Sequence, residues 1–268
     1  MHIARRHHLS AKRAAALAVS LSLAGCSTGL IATAPLSTIP VTGNWQLSST
    51  APAAAKLPVL SGELTGSGAN ITGIFHASAA STCVSASTSF ELTGSANAQN
   101  AITLTGANFA GGALIVQGTL ASDGKSFSDA SYNVVGGSCA FAQAAPADAQ
   151  SYADISGNYA GGFSDPGGNV LSITSTINQN PTGDSNGNFL LSGAATLPNN
   201  PCFLSPVTVT NSQVTGGSFT LTYADTNTGN GVTASGTFST DGTTLTVTNW
   251  ILTGPCGPDS GTGLLTKQ

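Results

Sequence analysis

The sequence predicts an all-β protein: two tandem duplicated antiparallel units, each a β-barrel or β-sandwich with one disulfide. Three observations carry this prediction. The chain matches itself in order and spacing, long segments alternate apolar with small polar residues, and four of its cysteines divide evenly between the matching halves. Alternation with period two marks strands whose two faces meet different surroundings.

The chain begins with Arg5, Arg6, Lys12 and Arg13, followed by an apolar run over residues 14–23 that only Ser20 and Ser22 interrupt. This is the layout of a secretory leader. The run is shorter than the roughly 20 apolar residues that a permanent membrane helix needs. It ends in Leu23-Ala24-Gly25-Cys26. That tetrapeptide resembles the lipobox of bacterial lipoproteins. The resemblance implies removal of residues 1–25, attachment of a diacylglycerol to the Cys26 thiol, and acylation of the new amino group. Two or three chains hold a protein stably on a membrane, because each buried methylene contributes about 0.8 kcal/mol. Ser27 follows, where an Asp would resemble an inner-membrane retention signal. The expected location is therefore extracytoplasmic, lipid-anchored, with the outer membrane favoured. Arg5-Arg6 lacks the rest of a twin-arginine motif, so the general secretory route is expected.

Residues 26–40 are rich in Ser, Thr, Pro and Ala and read as a flexible tether. Repeat 1 is assigned to residues 41–145. It opens with Val41-Thr42-Gly43-Asn44-Trp45 and later carries Gly118-Thr119-Leu120-Ala121-Ser122-Asp123-Gly124. Residues 146–154 contain Pro146 and no evident alternation, and are read as a linker. Repeat 2, residues 155–268, opens with Ile155-Ser156-Gly157-Asn158-Tyr159 and carries Gly236-Thr237-Phe238-Ser239-Thr240-Asp241-Gly242. The glycines are 75 residues apart in the first copy and 79 in the second. Beyond Asp-Gly, Phe127 matches Leu245 and Tyr132 matches Trp250. Segments 101–106, 113–120, 218–223 and 243–252 alternate as half-buried strands do. About six to eight short strands per unit are expected. Asp123-Gly124 and Asp241-Gly242 are expected at hairpin tips, in two-residue turns of positive φ. Each unit is long enough for its own core; two packed domains are favoured over one shared sheet.

With Cys26 assigned to lipid, four cysteines remain, and the repeat pairs Cys83 with Cys139 and Cys202 with Cys256. Oxidising compartments favour such bridges. Loops of this length are worth about 4 kcal/mol each in the chain-entropy account. The competing reading, a metal site, lacks closely spaced ligands, and none is expected.

Composition narrows the function. After residue 25 there is no Arg, three lysines face eleven carboxylates, and the net charge is −8 with His76 neutral. Nucleic acid is excluded as a partner, since phosphate binding needs clustered Lys and Arg. Few charges and many hydroxyls and amides leave a neutral polar surface. His76 is the one histidine able to serve as a base, and it is expected on the polar face of a strand, exposed to solvent. No nucleophile elbow, phosphate loop or cofactor motif occurs. The aspartates fall in turn contexts such as Asp165-Pro166-Gly167-Gly168 and Asp184-Ser185-Asn186-Gly187-Asn188; the second is read as a hairpin loop rather than a calcium loop. Catalytic residues and cofactors are assigned to none.

Gly43-Asn44-Trp45 and Gly157-Asn158-Tyr159 resemble the Gly-x-Trp signature on the first strand of lipocalins. That resemblance implies a barrel holding a small apolar ligand. The residues themselves favour plain packing, with Trp45, Tyr159, Tyr132 and Trp250 plugging the cores. The expectation is a non-enzymatic binding or structural protein of the cell envelope, its partner an envelope protein, a glycan or a small apolar ligand. The alternative is a lipocalin-like carrier.

Overall fold

The computed structural model describes residues 35–50, 57–78, 84–85, 88–139, 144–198, 200–204 and 206–268. Sixteen strands and no helix occur among them. In the first half these are β1 (Gly43–Ser49), β2 (Leu60–Ser67), β3 (Asn70–Ala77), β4 (Ser89–Ala96), β5 (Ala101–Phe109), β6 (Gly112–Leu120), β7 (Ser126–Val135) and β8 (Ala145–Tyr152). The second half holds β9 (Gly157–Ser164), β10 (Val170–Gln179), β11 (Phe189–Thr196), β12 (Val207–Thr215), β13 (Ser218–Ala224), β14 (Gly231–Phe238), β15 (Thr244–Thr253) and β16 (Asp259–Lys267).

Each half closes on itself as an antiparallel barrel in simple up-and-down order, β1 pairing with β8 and β9 with β16. The duplication is therefore structural as well as sequential, and between barrel and sandwich the fold is a barrel. Closure leaves no exposed strand edge in either sheet.

Two separate apolar clusters fill the barrels. Inward positions alternate along strands such as β5, where Ile102 and Leu104 are buried and Ala101, Thr103 and Thr105 are exposed. The four plugging aromatics are all buried. Matched positions share an environment: Tyr132 faces Val116 across β6 and β7, and Trp250 faces Ala234 across β14 and β15. The larger ring sits opposite the smaller partner, which keeps the volume of the layer constant. Trp45 lies opposite Gly62, donates its indole N–H to Val41 O at 2.7 Å, and packs on Phe127 with ring centroids 4.8 Å apart.

Three expectations need correction. Residues 146–154 are not a linker, because most of them belong to β8. Ala147 and Ala149 point inward with side chains too small to announce a strand, while Asp148 and Gln150 point outward. Pro146 sits at the start of the strand, where a missing donor is tolerated. The connection between barrels is the short stretch 153–156.

The described end of the tether is docked rather than loose. Leu36 bridges Asn97, Ser37 N–H donates to Ala96 O at 3.1 Å, and Ala98 N–H donates to Pro35 O at 2.9 Å.

Both Asp-Gly pairs do occupy hairpin tips, but only the glycine takes positive φ, +70° at Gly124 and +71° at Gly242. Their N–H groups donate to Ala121 O and Ser239 O, three residues back. The aspartates cap the turns from outside, Asp123 accepting from Lys125 N–H and Asp241 from Thr243 N–H. The tips are thus four-residue turns, a form compatible with an ordinary residue before glycine.

In the second barrel the predicted bridge joins Cys202 to Cys256, with Cα atoms 5.9 Å apart. It ties the β11–β12 loop to the β15–β16 loop, as the repeat required. In the first barrel Cys139 is buried and disulfide-bonded. Cys83, like Cys26 and the rest of the lipobox, lies outside the described residues.

Candidate functional site at the barrel junction

Outward-facing polar residues should be solvated, yet Asn44 and Ser61 are 2% exposed and His76 is 8% exposed. All three lie on the β1–β2–β3 face of the first barrel, and the second barrel covers them. Two loops of that barrel make the contact: the two-residue β12–β13 turn Gly216-Gly217, and the β10–β11 loop around residues 180–188.

Side chains of the first barrel read the backbone of the second. Asn44 donates Nδ2–H to Gly216 O at 2.8 Å and accepts Gly216 N–H at Oδ1 at 2.7 Å. Gln46 Oε1 accepts Gly217 N–H at 2.9 Å, and Glu63 Oε2 accepts Gly183 N–H at 3.1 Å. Gly216 has φ +51°, and a Cβ there would stand 2.6 Å from both Gln46 Oε1 and Ser61 Oγ. Glycine is needed at this position for conformation and for clearance. Gly187, at φ +79°, similarly packs its backbone against Ile74 O.

His76 is not the solvated residue expected from the strand pattern. It does face outward, but the second barrel encloses it. Its Nδ1 lies 2.7 Å from Asn186 O. A carbonyl only accepts, so Nδ1 carries a proton and donates it to Asn186 O. Nε2 stands 3.5 Å from Thr215 Oγ1. The Asp184-to-Asn188 segment forms the predicted loop: the Asp184 carboxylate accepts N–H bonds from Asn186 at 2.8 Å and Asn188 at 2.9 Å. Burial works to raise the Asp184 pKa, but these bonds and neighbouring His76 hold it below the usual carboxylate value.

Beside these contacts lies a cavity of about 440 Å³, walled by Gln46, Ser61, His76, Tyr152, Gln213 and Thr215, with Phe238 at its side. Tyr152 and Phe238 pack edge to face across the junction, centroids 5.4 Å apart. Among the described residues, Gln46 Nε2, Ser61 Oγ, Tyr152 Oη and the Gln213 amide have no hydrogen-bond partner. They present donors and acceptors to the cavity. Burial pushes the Tyr152 phenol pKa up, so it stays protonated at neutral pH.

No protein-family model matches the chain, and comparisons with curated proteins and with solved structures likewise find no match.

Histidine beside hydroxyls is one ingredient of nucleophilic catalysis, and Ser61 is the cross-strand neighbour of His76. The adjacent backbone donors are already engaged, however. Gly216 N–H and Gly217 N–H, the amides that follow Thr215, bond to Asn44 and Gln46. They are not available to stabilise an oxyanion. The arrangement can accept and donate hydrogen bonds to a bound molecule. No group of three or more His, Cys, Asp or Glu residues fit to hold a metal ion occurs among the described residues.

Sequence reasoning found His76 but not its neighbours. Asn44 sits in the repeated Gly-Asn-aromatic motif, where the aromatic draws attention. Its counterpart Asn158 is exposed and accepts a bond from Thr176 Oγ1 instead. Gly216-Gly217 between two alternating runs was the available signal, since Gly-Gly marks a hairpin turn. Tyr152 was hidden by the linker assignment. The predicted cysteines do not line the cavity.

Proposed function

We propose that this protein is a lipid-anchored, extracytoplasmic, non-enzymatic binding protein of the bacterial cell envelope, and that it binds through the cavity at the barrel junction. One observation carries the binding role: polar side-chain groups without a hydrogen-bond partner, from β1, β2, β8 and β12, converge on one cavity. Buried or half-buried polar groups without partners are uncommon, and a ligand would satisfy them. The Cys202–Cys256 bridge supports an oxidising compartment. The engaged amides at Gly216 and Gly217 favour binding over turnover.

The carrier reading has less support. A ligand-holding barrel needs an open interior, whereas Trp45, Leu64, Phe75, Leu92 and Leu104 fill the first and Tyr159, Phe163, Tyr223 and Trp250 the second.

Anchoring and binding are tested together by purifying the native protein from membranes, with mass spectrometry of what accompanies it. The expected result is a diacylated or triacylated N-terminal Cys26 and a co-purifying molecule lost when Tyr152 or Gln213 is replaced. Lipid labelling that persists in Cys26→Ser overturns the anchor; a chain that turns over its bound molecule overturns the non-enzymatic role.

A further inference from the structure

From the chemistry of its walls we infer that the junction cavity binds a neutral oligosaccharide. The inference deepens the binding role proposed above and rests on it.

Four ligand classes can be compared with the site. No Lys or Arg lines the cavity, and no Asp or Glu either. Anionic and cationic ligands would therefore enter without a counter-charge, at a desolvation cost nothing repays. An extended peptide is recognised by adding its backbone to a sheet edge, and both sheets here are closed. A small apolar molecule needs an enclosed apolar pocket, whereas this cavity is open on one side and mixes Val59, Ala77 and Phe238 with hydroxyl, amide and imidazole groups.

A neutral saccharide meets each feature. Its hydroxyls both donate and accept, and the cavity offers a donor at Gln46 Nε2 and groups of either sense at Tyr152 Oη, Ser61 Oγ and the Gln213 amide. Its C–H face is apolar and suits the ring of Tyr152, held in place by Phe238. A volume of about 440 Å³ lies in the range of small-ligand sites. Most of the ring-bearing wall comes from the first barrel and Gln213 from the second, so the site exists only while the junction is closed.

The test uses the full-length chain in detergent on an array of neutral oligosaccharides, with calorimetry on the hits. Binding to at least one neutral saccharide is expected. Tyr152→Phe keeps the ring and removes one hydroxyl; Gln213→Ala removes one amide. Each should weaken binding about three- to tenfold, the worth of one hydrogen bond. Asn158→Ala, on the matching face of the second barrel, should leave affinity unchanged. Absence of binding across the array, or affinity indifferent to both cavity variants, overturns the inference. Release of reducing ends from a bound saccharide leaves the saccharide class standing and overturns the non-enzymatic reading instead. Native co-purification of a protein or charged molecule at this cavity overturns the saccharide class and leaves the binding role intact.

Discussion

Asn44 and Gly216, 172 residues apart in the chain, exchange two hydrogen bonds of 2.8 and 2.7 Å across the barrel junction. The side-chain amide takes the part of a neighbouring strand: it satisfies one backbone N–H and one C=O, both buried. This explains how two closed barrels, each without a free edge, join through polar contacts.

Asn44→Ala should loosen the junction. It leaves both Gly216 groups unpaired, at about 1–3 kcal/mol for each group that stays buried. Amide hydrogen exchange at Gly216 and Gly217 is expected to accelerate while exchange inside β14 and β15 holds. Unchanged protection at Gly216 would show that the pair contributes nothing.

Gly216→Ala should separate clearance from backbone strain. Gly216 and Gly229 both have positive φ, +51° and +72°, but only at Gly216 would a Cβ meet neighbouring atoms, Gln46 Oε1 and Ser61 Oγ. Gly229→Ala should therefore cost only the left-handed backbone penalty, about 1–2 kcal/mol. Gly216→Ala should cost more and abolish docking of the turn, as read by denaturation and by small-angle scattering. Equal effects would remove the steric argument.

Replacing Cys202 and Cys256 together by Ala should lower stability by about 4 kcal/mol, as expected for a loop of 54 residues. The Asn230 contacts that bridge the two cysteine backbones, Nδ2–H to Cys202 O at 2.8 Å and Cys256 N–H to Oδ1 at 3.0 Å, should persist in part. Guanidinium unfolding of this double variant checks the figure, and a loss far below it would show that the unfolded chain retains structure without the bridge.

Alkaline pH should destabilise the fold through its tyrosines. Burial raises Tyr159 to about 12, helped by the charges of Asp154 and Asp241, and burial raises Tyr223 to about 12 against the bond to Ser175. The ordinary value is 10.0. The folded state thus prefers the neutral phenol. The stability it gains is fully present below pH 10 and is lost as pH rises from there towards 12. Tyrosinate absorbance should lag in the native protein and jump on unfolding; native titration of all four tyrosines near pH 10 would contradict their burial.

Much of the fold was legible because strand alternation and duplication are local or self-referential. Tyr132 and Trp250 could be matched by offset alone, and Cys202 with Cys256 by the same offset. β8 was not legible, since Ala147 and Ala149 give an inward face too small to register as hydrophobic. The candidate site was visible only in His76, whose polar-face position was right and whose exposure was not.

The sequence by itself determined the all-β class, the two copies and the bridge in the second unit, because each follows from side-chain period or from one copy compared with the other. Only the tertiary structure decided that the sheets close as barrels and that Asn44, Ser61, His76 and Tyr152 share a cavity. The physical reason is that a strand's period says which way a side chain points, while its burial depends on what another part of the chain lays against that face. Asn44 and Asn158 occupy the same place in the repeat, and only one of them is covered.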